Sequence, residues 1–215
     1  MNLFLLSIEY LQAALAACDA HCVKMVLEST QLLYSAWHVN NNKLPKVKSG
    51  PNPYKLAHEN HPTSIWVREC EANYMWLLNY AFALAKEYSH RYSVEGKEPK
   101  VHACVAHLQR LKKWGYPSKI NYEKAEVQEE IVPLKKKRKR KEKKATVFAT
   151  VDIPTGCTPF PLCFGEEGEK YMVKDEDGNF SGVLSYQKYY QSKKDSFKKR
   201  KMSYKRREKP KWLNL

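Results

Sequence analysis

In the N-terminal part of the chain, apolar and polar residues recur at mostly helical spacing. Residues 2–6 (Asn-Leu-Phe-Leu-Leu) are a short apolar run, which predicts either a buried strand or an extended entry segment. The pattern over 8–39 predicts helix with a break near Asp19, and Asp19 is a suitable N-cap for a second helix over 19–38. Residues 40–53 are rich in Asn and Pro, which indicates a loop.

A longer segment, rich in aromatic residues, follows this loop. Its apolar spacing predicts the longest helix of the chain, over about 63–92, with Thr63 or Ser64 as its N-cap. A shorter helix is predicted over about 100–113. These elements predict a mainly α fold with a compact helical core domain over residues 1–115.

The composition changes after this core, and we expect residues 116–215 to form a basic, loop-rich C-terminal extension. The Lys/Arg block at 134–144 cannot fold alone, so it is predicted to be flexible and either solvated or bound to a polyanion. Residues 145–185 carry turn-forming Pro and Gly, with a short hairpin predicted around 171–184. Residues 186–215 form an aromatic and basic tail, predicted to be helical or extended.

The charge of the chain is segregated along the sequence. Residues 1–96 contain eight basic and eight acidic residues, whereas residues 97–215 contain thirty basic and fifteen acidic residues, which accounts for the whole net charge of +15. A neutral half followed by a cationic half is typical of a scaffold joined to a polyanion-binding surface. Tyr and Trp are interleaved with the charge, which solubility alone does not require.

The cysteines and the N-terminus bear on the compartment. None of the six cysteines forms a C-x-x-C pair, and the chain is not dense in cysteine, so no disulfide framework is indicated. The start has no basic region of the signal-peptide kind, and no apolar stretch is long enough to span a membrane. We therefore predict an intracellular protein with no membrane partner.

The second predicted helix carries an unusual polar stripe. Six residues advance by alternating steps of three and four and share one face, within an arc of about 100°: His21, Lys24, Glu28, Gln31, Ser35 and His38. Most of the remaining circumference is apolar, so the helix is predicted to be buried on most sides and to turn this stripe towards a cleft.

The stripe contains the groups that acid–base chemistry uses. Glu28 is a candidate general acid or base, His21 or Lys24 can tune its pKa, and a desolvated Lys24 is a candidate Schiff-base nucleophile. An ordinary helix ion pair between Lys24 and Glu28, with His21 as a core neighbour, explains the same spacing. Zinc binding is a weaker alternative, because structural zinc sites usually have tighter paired spacings in loops. Its candidate ligands are Cys18, His21 and Cys22, with Cys104 and His107 at a similar three-residue step. No metal and no cofactor is therefore expected.

Several short motifs resemble those of a known enzyme family. Asp19-Ala20-His21, with Glu28 seven positions after the His, resembles the first catalytic helix of the phage pyrimidine-dimer DNA glycosylases of the endonuclease V type. A larger set of related phage proteins is similar over most of the chain outside 134–144. The further motifs are His61-Pro62 to Trp66 and Arg68, Asn73-Tyr74-x-Trp76-Leu77, Glu87-Tyr88-x-x-Arg91-Tyr92, Tyr186-x-x-Tyr189-Tyr190 and Pro210-x-Trp212.

The resemblance implies a compact all-α fold and a bifunctional glycosylase/AP lyase reaction on an extruded pyrimidine. An amine would attack C1′ to form a Schiff base, with Glu28 assisting proton transfer and His21 contacting DNA. The family's nucleophile is the α-amine of a small residue exposed when Met1 is removed, whereas here Asn2 follows and normally blocks removal. Three alternatives follow: the Met1 amine is the nucleophile, Lys24 is the nucleophile, or the lyase chemistry is absent.

The sequence therefore predicts a DNA-binding repair or modification enzyme, of the glycosylase/AP lyase kind. A non-catalytic nucleic-acid-binding protein of the virion, chromatin-like, RNA- or ribosome-associated kind is the alternative, since the basic tracts suit RNA as well as DNA. The cytoplasm of an infected host cell is the expected location, or the nucleus if Pro133–Lys139 is a localisation signal. The predicted nucleic-acid contacts are Arg68, Arg91, Lys135, Lys136, Lys137, Arg138, Lys139, Arg140, Tyr186, Lys188, Tyr189, Tyr190, Lys198, Lys199 and Arg200.

Overall fold

The structure is a computed structural model, and it describes residues 3–41, 44–118, 145–166, 168–196 and 202–213. Six helices dominate it: α1 (Tyr10–Ala16), α2 (Asp19–Asn41), α3 (Pro62–Glu69), α4 (Glu71–Tyr92), α5 (Val105–Trp114) and α6 (Gly182–Ser196). Two short strands, β1 (Val147–Ala149) and β2 (Phe160–Leu162), pair antiparallel, and a 3-10 turn covers Gly168–Tyr171. The prediction of a mainly α fold with a compact core is confirmed.

Helices α2 and α4 form the centre of the core. α2 packs along α4 and also contacts α3 and α5, while α1 lies on α4. The break predicted near Asp19 is confirmed, because α1 ends at Ala16 and α2 begins at Asp19. The segment before α1 is extended and buried, with Leu3 and Leu5 fully inaccessible to solvent. It is therefore an entry segment that lines the core.

The predicted helix over 63–92 is two helices. Cys70 is extended (φ −149°, ψ 165°) and separates α3 from α4. The break frees the Trp66 carbonyl at the end of α3, and the Asn73 side-chain amide donates to it at 2.7 Å. The cap is also different from the prediction, since the His61 ring accepts from the Thr63 backbone N–H. Thr63 itself is buried.

The described parts of residues 116–215 belong to the same core as residues 1–115. Ala149, Phe160, Tyr186 and Tyr190 are fully buried within it, and the last described residue, Leu213, is 2% exposed. The prediction of an appended extension is therefore wrong for these parts of the chain. Phe160 of β2 packs on Trp66 of α3, and Tyr190 of α6 packs on His21 of α2.

The hairpin predicted around 171–184 is present in a minimal form. Lys174 and Phe180 form an isolated antiparallel bridge, and the Asp175 N–H donates to the Asn179 carbonyl at 2.9 Å. Gly178 (φ 84°) takes the left-handed conformation that the turn between them requires. The turn leads directly into α6.

Candidate nucleic-acid interface

The polar stripe of α2 does not open into a cleft. His21 and Ser35 are buried, and the Ser35 hydroxyl donates to the Ala57 carbonyl at 2.9 Å. The His38 ring hydrogen-bonds the Tyr54 carbonyl, also at 2.9 Å. Loop residues that follow α2 thus cover the C-terminal half of the stripe. The expectation of a titratable stripe that lines an open site is wrong.

The solvent-facing side of α2 is displaced from the predicted stripe. Lys24 is exposed, and so are its apolar neighbours Val23 and Leu27, each at 37%. Both apolar residues lie outside the polar stripe, in the arc that the sequence pattern predicts to be buried. The exposed face therefore combines one cation with two aliphatic side chains, which is an unremarkable surface for a helix.

His21 is held in an aromatic cluster at the start of α2. Its ring stacks on Phe4, with 4.8 Å between the ring centroids, and its Nδ1 shares a hydrogen bond of 2.7 Å with the Tyr190 hydroxyl. Burial, with smaller contributions from Lys24 and Lys193, lowers the pKa of His21 to about 4. The ring is therefore neutral near pH 7, and it supports packing instead of contributing a positive charge to a DNA surface.

Lys24 and Glu28 form an i,i+4 ion pair on the same helix. Lys24 Nζ lies 3.0 Å from Glu28 Oε1, with the Lys24 side chain 68% exposed and the Glu28 side chain 13% exposed. A Schiff-base lysine is normally desolvated, and Lys24 is solvated. Of the two interpretations of this spacing, the geometry matches the ordinary helix pair.

Arg91, a predicted nucleic-acid contact, is buried inside the protein. Its side chain is fully buried and bonds Asp19 Oδ1 at 3.2 Å and Glu87 Oε2 at 3.0 Å. It also donates to the carbonyl oxygens of Ala17 and Leu15. The prediction for Arg91 is wrong, because its side chain is fully buried against two carboxylates and two carbonyls.

The same cluster joins the C-terminal segment to the core. Both Asp19 carboxylate oxygens accept from the Lys205 N–H at 3.0 Å, and the Ser203 hydroxyl donates to Asp19 Oδ2 at 2.8 Å. Arg207 binds the Glu87 carboxylate at 2.7 and 3.0 Å. Asp19 is therefore an anchor for residues 203–205 and does not act as the predicted N-cap. We call Asp19, Glu87, Arg91 and Arg207 the anchor network.

Burial and charge act in opposite directions on Glu87. Burial alone raises the pKa of this carboxyl, but the hydrogen bonds and positive charges of Arg207 and Arg91 outweigh it and lower the pKa below its ordinary value. Because the folded-state pKa is depressed, the stabilisation from Glu87 is complete above the ordinary pKa of glutamate. It is lost as the pH falls through the lower, folded-state value.

Arg68 lies far from His21. Its guanidinium donates to the Glu59 carbonyl at 2.6 Å, and its own carbonyl accepts from the Asn40 side chain at 3.1 Å. Asn40 is nineteen residues along α2 from His21, which is about 28 Å at the rise of an α-helix. The structure therefore does not bring Arg68 together with His21 and Glu28, as an active-site cleft would require.

The aromatic residues of α6 mostly face inward. Tyr186 and Tyr190 are fully buried, and burial raises the pKa of each well above its ordinary value. The Tyr186 hydroxyl donates to the Pro161 carbonyl at 2.8 Å, and the Tyr190 hydroxyl accepts from the Cys18 N–H at 2.9 Å. The prediction that these two rings contact nucleic acid is wrong, because the rings fill the core.

Two other predicted contacts on α6 are more accessible. Lys188 is exposed, and Tyr189 is half-buried with the Lys193 ammonium 4.4 Å from its ring centroid. The remaining candidates, Lys135, Lys136, Lys137, Arg138, Lys139 and Arg140 with Lys198, Lys199 and Arg200, lie outside the described residues. For these nine the contact with nucleic acid stays a prediction from sequence.

A cavity of about 310 Å³ lies between the N-terminal end of α3 and β2, and Cys163, His61 and Glu169 are among its lining residues. Burial raises the pKa of the Cys163 thiol, which opposes formation of the thiolate that a nucleophile needs. The His61 ring caps α3 through Nδ1. The described geometry of this cavity does not present an activated cysteine.

All six cysteines are free thiols. Burial raises the pKa of Cys22 to about 12. Its thiol donates to the Leu84 carbonyl, with Sγ 3.5 Å from the carbonyl oxygen. In the described ranges, no three His, Cys, Asp or Glu side chains are grouped so that they can hold a metal ion. The zinc alternative for Cys18, His21 and Cys22 therefore has no supporting geometry.

Comparison with known proteins finds no match among protein-family models, curated proteins or solved structures. The likeness to the pyrimidine-dimer glycosylases thus stays a prediction from short motifs. Across the part of the chain that the structure describes, no helix has the length and apolar character needed to cross a bilayer.

Proposed function

We propose that this protein binds nucleic acid inside the cell, DNA in the first instance, through the phosphate backbone and without catalysing a reaction on it. The observation that carries the proposal is the segregation of charge, since the whole net charge of +15 falls in residues 97–215. Cations at this density bind polyanions by releasing condensed counterions, largely without regard to base sequence.

The geometry of α2 supports binding over catalysis. In an enzyme of the predicted kind, Glu28 and His21 would have to reach a nucleotide through an open cleft, and Arg91 would have to be accessible to nucleic acid. Instead, His21 is covered by Phe4 and Tyr190, and Arg91 is enclosed by carboxylates. These polar residues of the core are therefore paired within the protein, and the core serves as a scaffold for a binding surface.

Glycosylase/AP lyase activity is the second candidate, and one contact favours it. The Lys24 amine and the Glu28 carboxylate are 3.0 Å apart, and Lys24 is accessible from solvent. For Schiff-base chemistry at C1′ of a nucleotide, Lys24 would have to lose its proton and be desolvated by the bound DNA, since it is solvated and ion-paired in the free protein. The motif resemblance places the catalytic Glu at the same position, Glu28.

Binding is tested by fluorescence anisotropy of the full chain with labelled duplex DNA, single-stranded DNA and duplex RNA of one sequence, at several salt concentrations. We expect affinity for duplex DNA to fall steeply with salt. The slope of log K against log[salt] is negative. Replacement of the six cations Lys135–Arg140 by Gln should make it shallower by about 5. A variant with residues 134–144 shuffled keeps the charge and should bind like the wild type.

Each outcome of this titration has a definite meaning. Salt-insensitive binding, or a shuffled block that binds like the six-Gln variant, contradicts backbone binding through phosphate contacts. Tighter binding to duplex RNA than to duplex DNA replaces DNA with RNA as the ligand.

Catalysis is tested by borohydride trapping on DNA that contains an abasic site or a cyclobutane pyrimidine dimer. Wild type, Lys24→Ala and Glu28→Gln are compared. We expect no covalent adduct, with salt-sensitive DNA binding retained in all three proteins. An adduct that is lost in Lys24→Ala would establish the lyase with Lys24 as its nucleophile, and one that survives would identify a different amine. Either adduct overturns the non-catalytic proposal.

A further inference from the structure

A second cavity, of about 540 Å³, lies between the loop that follows α2 and the helix α5. Its charged and polar residues are Lys46, Lys48, Ser49, Gln109, Arg110 and Lys113, with Trp114 at one wall. No Asp or Glu lies among the described residues that line it. Nothing in the sequence pattern singles out these residues, because the four cations come from two separate segments.

Arg110 is the fixed part of this cavity. Its guanidinium donates to the Pro51 carbonyl at 2.7 Å and the Ser49 carbonyl at 2.9 Å, and to the Tyr34 hydroxyl at 3.2 Å. These acceptors are neutral, so they orient the guanidinium and leave its charge uncompensated. Burial, and then the charge of Arg110, lower the pKa of the nearby His107.

The loop is shaped to reach Arg110. Gly50 has φ 87°, and a Cβ built on it would lie 2.9 Å from Arg110 Nη2. Glycine therefore permits both the left-handed backbone and the close approach of the loop to the guanidinium. This brings Lys46 and Lys48, both exposed, to the same cavity as the exposed Lys113 of α5.

We propose that this cavity binds a phosphate group of a nucleotide, with the aromatic ring of Trp114 beside it. A planar, fixed guanidinium and several mobile ammonium groups suit a phosphate dianion or diester. Trp114 is half-buried, with the Arg110 guanidinium 6.0 Å from its ring centroid, and it supplies the apolar wall that a base or sugar needs.

The phosphate has two possible sources, a polynucleotide backbone or a free nucleotide. The polynucleotide source rests on the proposed function, whereas a free nucleotide does not. In sequence, α5 leads towards the basic block at 134–144, so one polynucleotide contacting both is the source that we favour.

The test compares two variants with the same change in charge. Lys48→Gln/Lys113→Gln removes two cations from the cavity. Lys86→Gln/Lys97→Gln removes two exposed cations that do not line it. All four positions are exposed, so both variants are expected to fold, which circular dichroism and thermal melting verify. Arg110 is left intact because it also holds the loop.

Two probes are titrated into the full chain. A fluorescein-labelled 20-base-pair DNA duplex is followed by anisotropy, and thymidine 5′-monophosphate by the indole N–H resonance of Trp114, assigned with Trp114→Phe. We expect the cavity variant to bind the duplex on the order of tenfold more weakly. Its slope of log K against log[salt] should be shallower by about 2. The control variant should change duplex binding less, and the monophosphate should shift the Trp114 resonance in the control and not in the cavity variant.

The outcomes separate this proposal from the proposed function. A wild type that binds the monophosphate at Trp114 but not the duplex supports the cavity as a nucleotide site and overturns nucleic-acid binding. Duplex binding that is equal in the cavity and control variants, with no Trp114 shift by the monophosphate, overturns the cavity proposal and leaves nucleic-acid binding standing. Binding of neither probe overturns both.

Discussion

Asp19→Ala is expected to lower the free energy of unfolding by about 3–5 kcal/mol, the range for breaking a buried ion pair by removing one partner. The Asp19 side chain is 6% exposed and its partner Arg91 is fully buried. Without Asp19, the buried Arg91 guanidinium keeps Glu87 as a carboxylate partner but loses the other one. The Ser203 hydroxyl and the Lys205 N–H lose their acceptor at the same time.

The measurement is urea unfolding of the full chain, with amide hydrogen exchange to locate the effect. We expect the Lys205 amide to lose protection in Asp19→Ala, because Asp19 accepts its only described hydrogen bonds. Asp177→Ala, in an exposed turn, and Lys24→Ala, at a side chain that is 68% exposed, are the controls and should each cost no more than about 0.5 kcal/mol. A loss from Asp19→Ala as small as in these controls would contradict an anchoring role.

His21 is expected to make the protein less stable as the pH falls from about 6.5 towards 4. Its folded-state pKa is about 4, below the ordinary value of 6.5, so the unfolded chain binds the extra proton in this window. Stability from the neutral ring is complete above pH 6.5 and is lost as the pH decreases. The change from pH 7 to pH 5 amounts to about 2 kcal/mol.

This prediction is checked by urea unfolding between pH 7 and 5, a range that lies above the window in which Glu87 contributes. His21→Gln keeps a hydrogen-bonding group near Tyr190 but does not titrate, so it should flatten the pH dependence relative to wild type. Thr155→Ala is the control, since that side chain is exposed and does not titrate, so the variant should keep the wild-type slope. Equal slopes in wild type and His21→Gln would show that the ring is not held neutral by the fold.

The motifs that suggest a glycosylase have structural roles where they are described. Asp19, Glu87 and Arg91 belong to the anchor network, and the Asn73 side chain bridges the end of α3 to Thr158. The Trp76 indole N–H donates to the Ile8 carbonyl at 2.8 Å. In this chain these residues hold the fold together, and the resemblance to the glycosylases stays a prediction from sequence.

The helices α1, α2 and α5 could be predicted from local sequence patterns. The 3.6-residue periodicity of apolar side chains predicted α1, α2 and the break between them. The predicted helix over 100–113 corresponds to α5, which starts later because the His102 ring accepts from the Cys104 N–H at 3.1 Å. The loop after α2 and the turn at 175–178 follow from the local preferences of Asn, Pro, Asp and Gly.

The sequence alone also establishes the segregation of charge, because a count of Lys, Arg, Asp and Glu needs no structure.

Tertiary structure alone decided which polar residues face solvent. Arg91 and Tyr190 read as surface residues by type, yet partners distant in the sequence bury them: Asp19 for the first, and Phe4 and His21 for the second. The cavity at Arg110 depends on the same kind of contact, since Ser49 and Pro51 reach α5 from sixty residues away. Periodicity describes one helix at a time, and these pairings are set by how separate segments pack together.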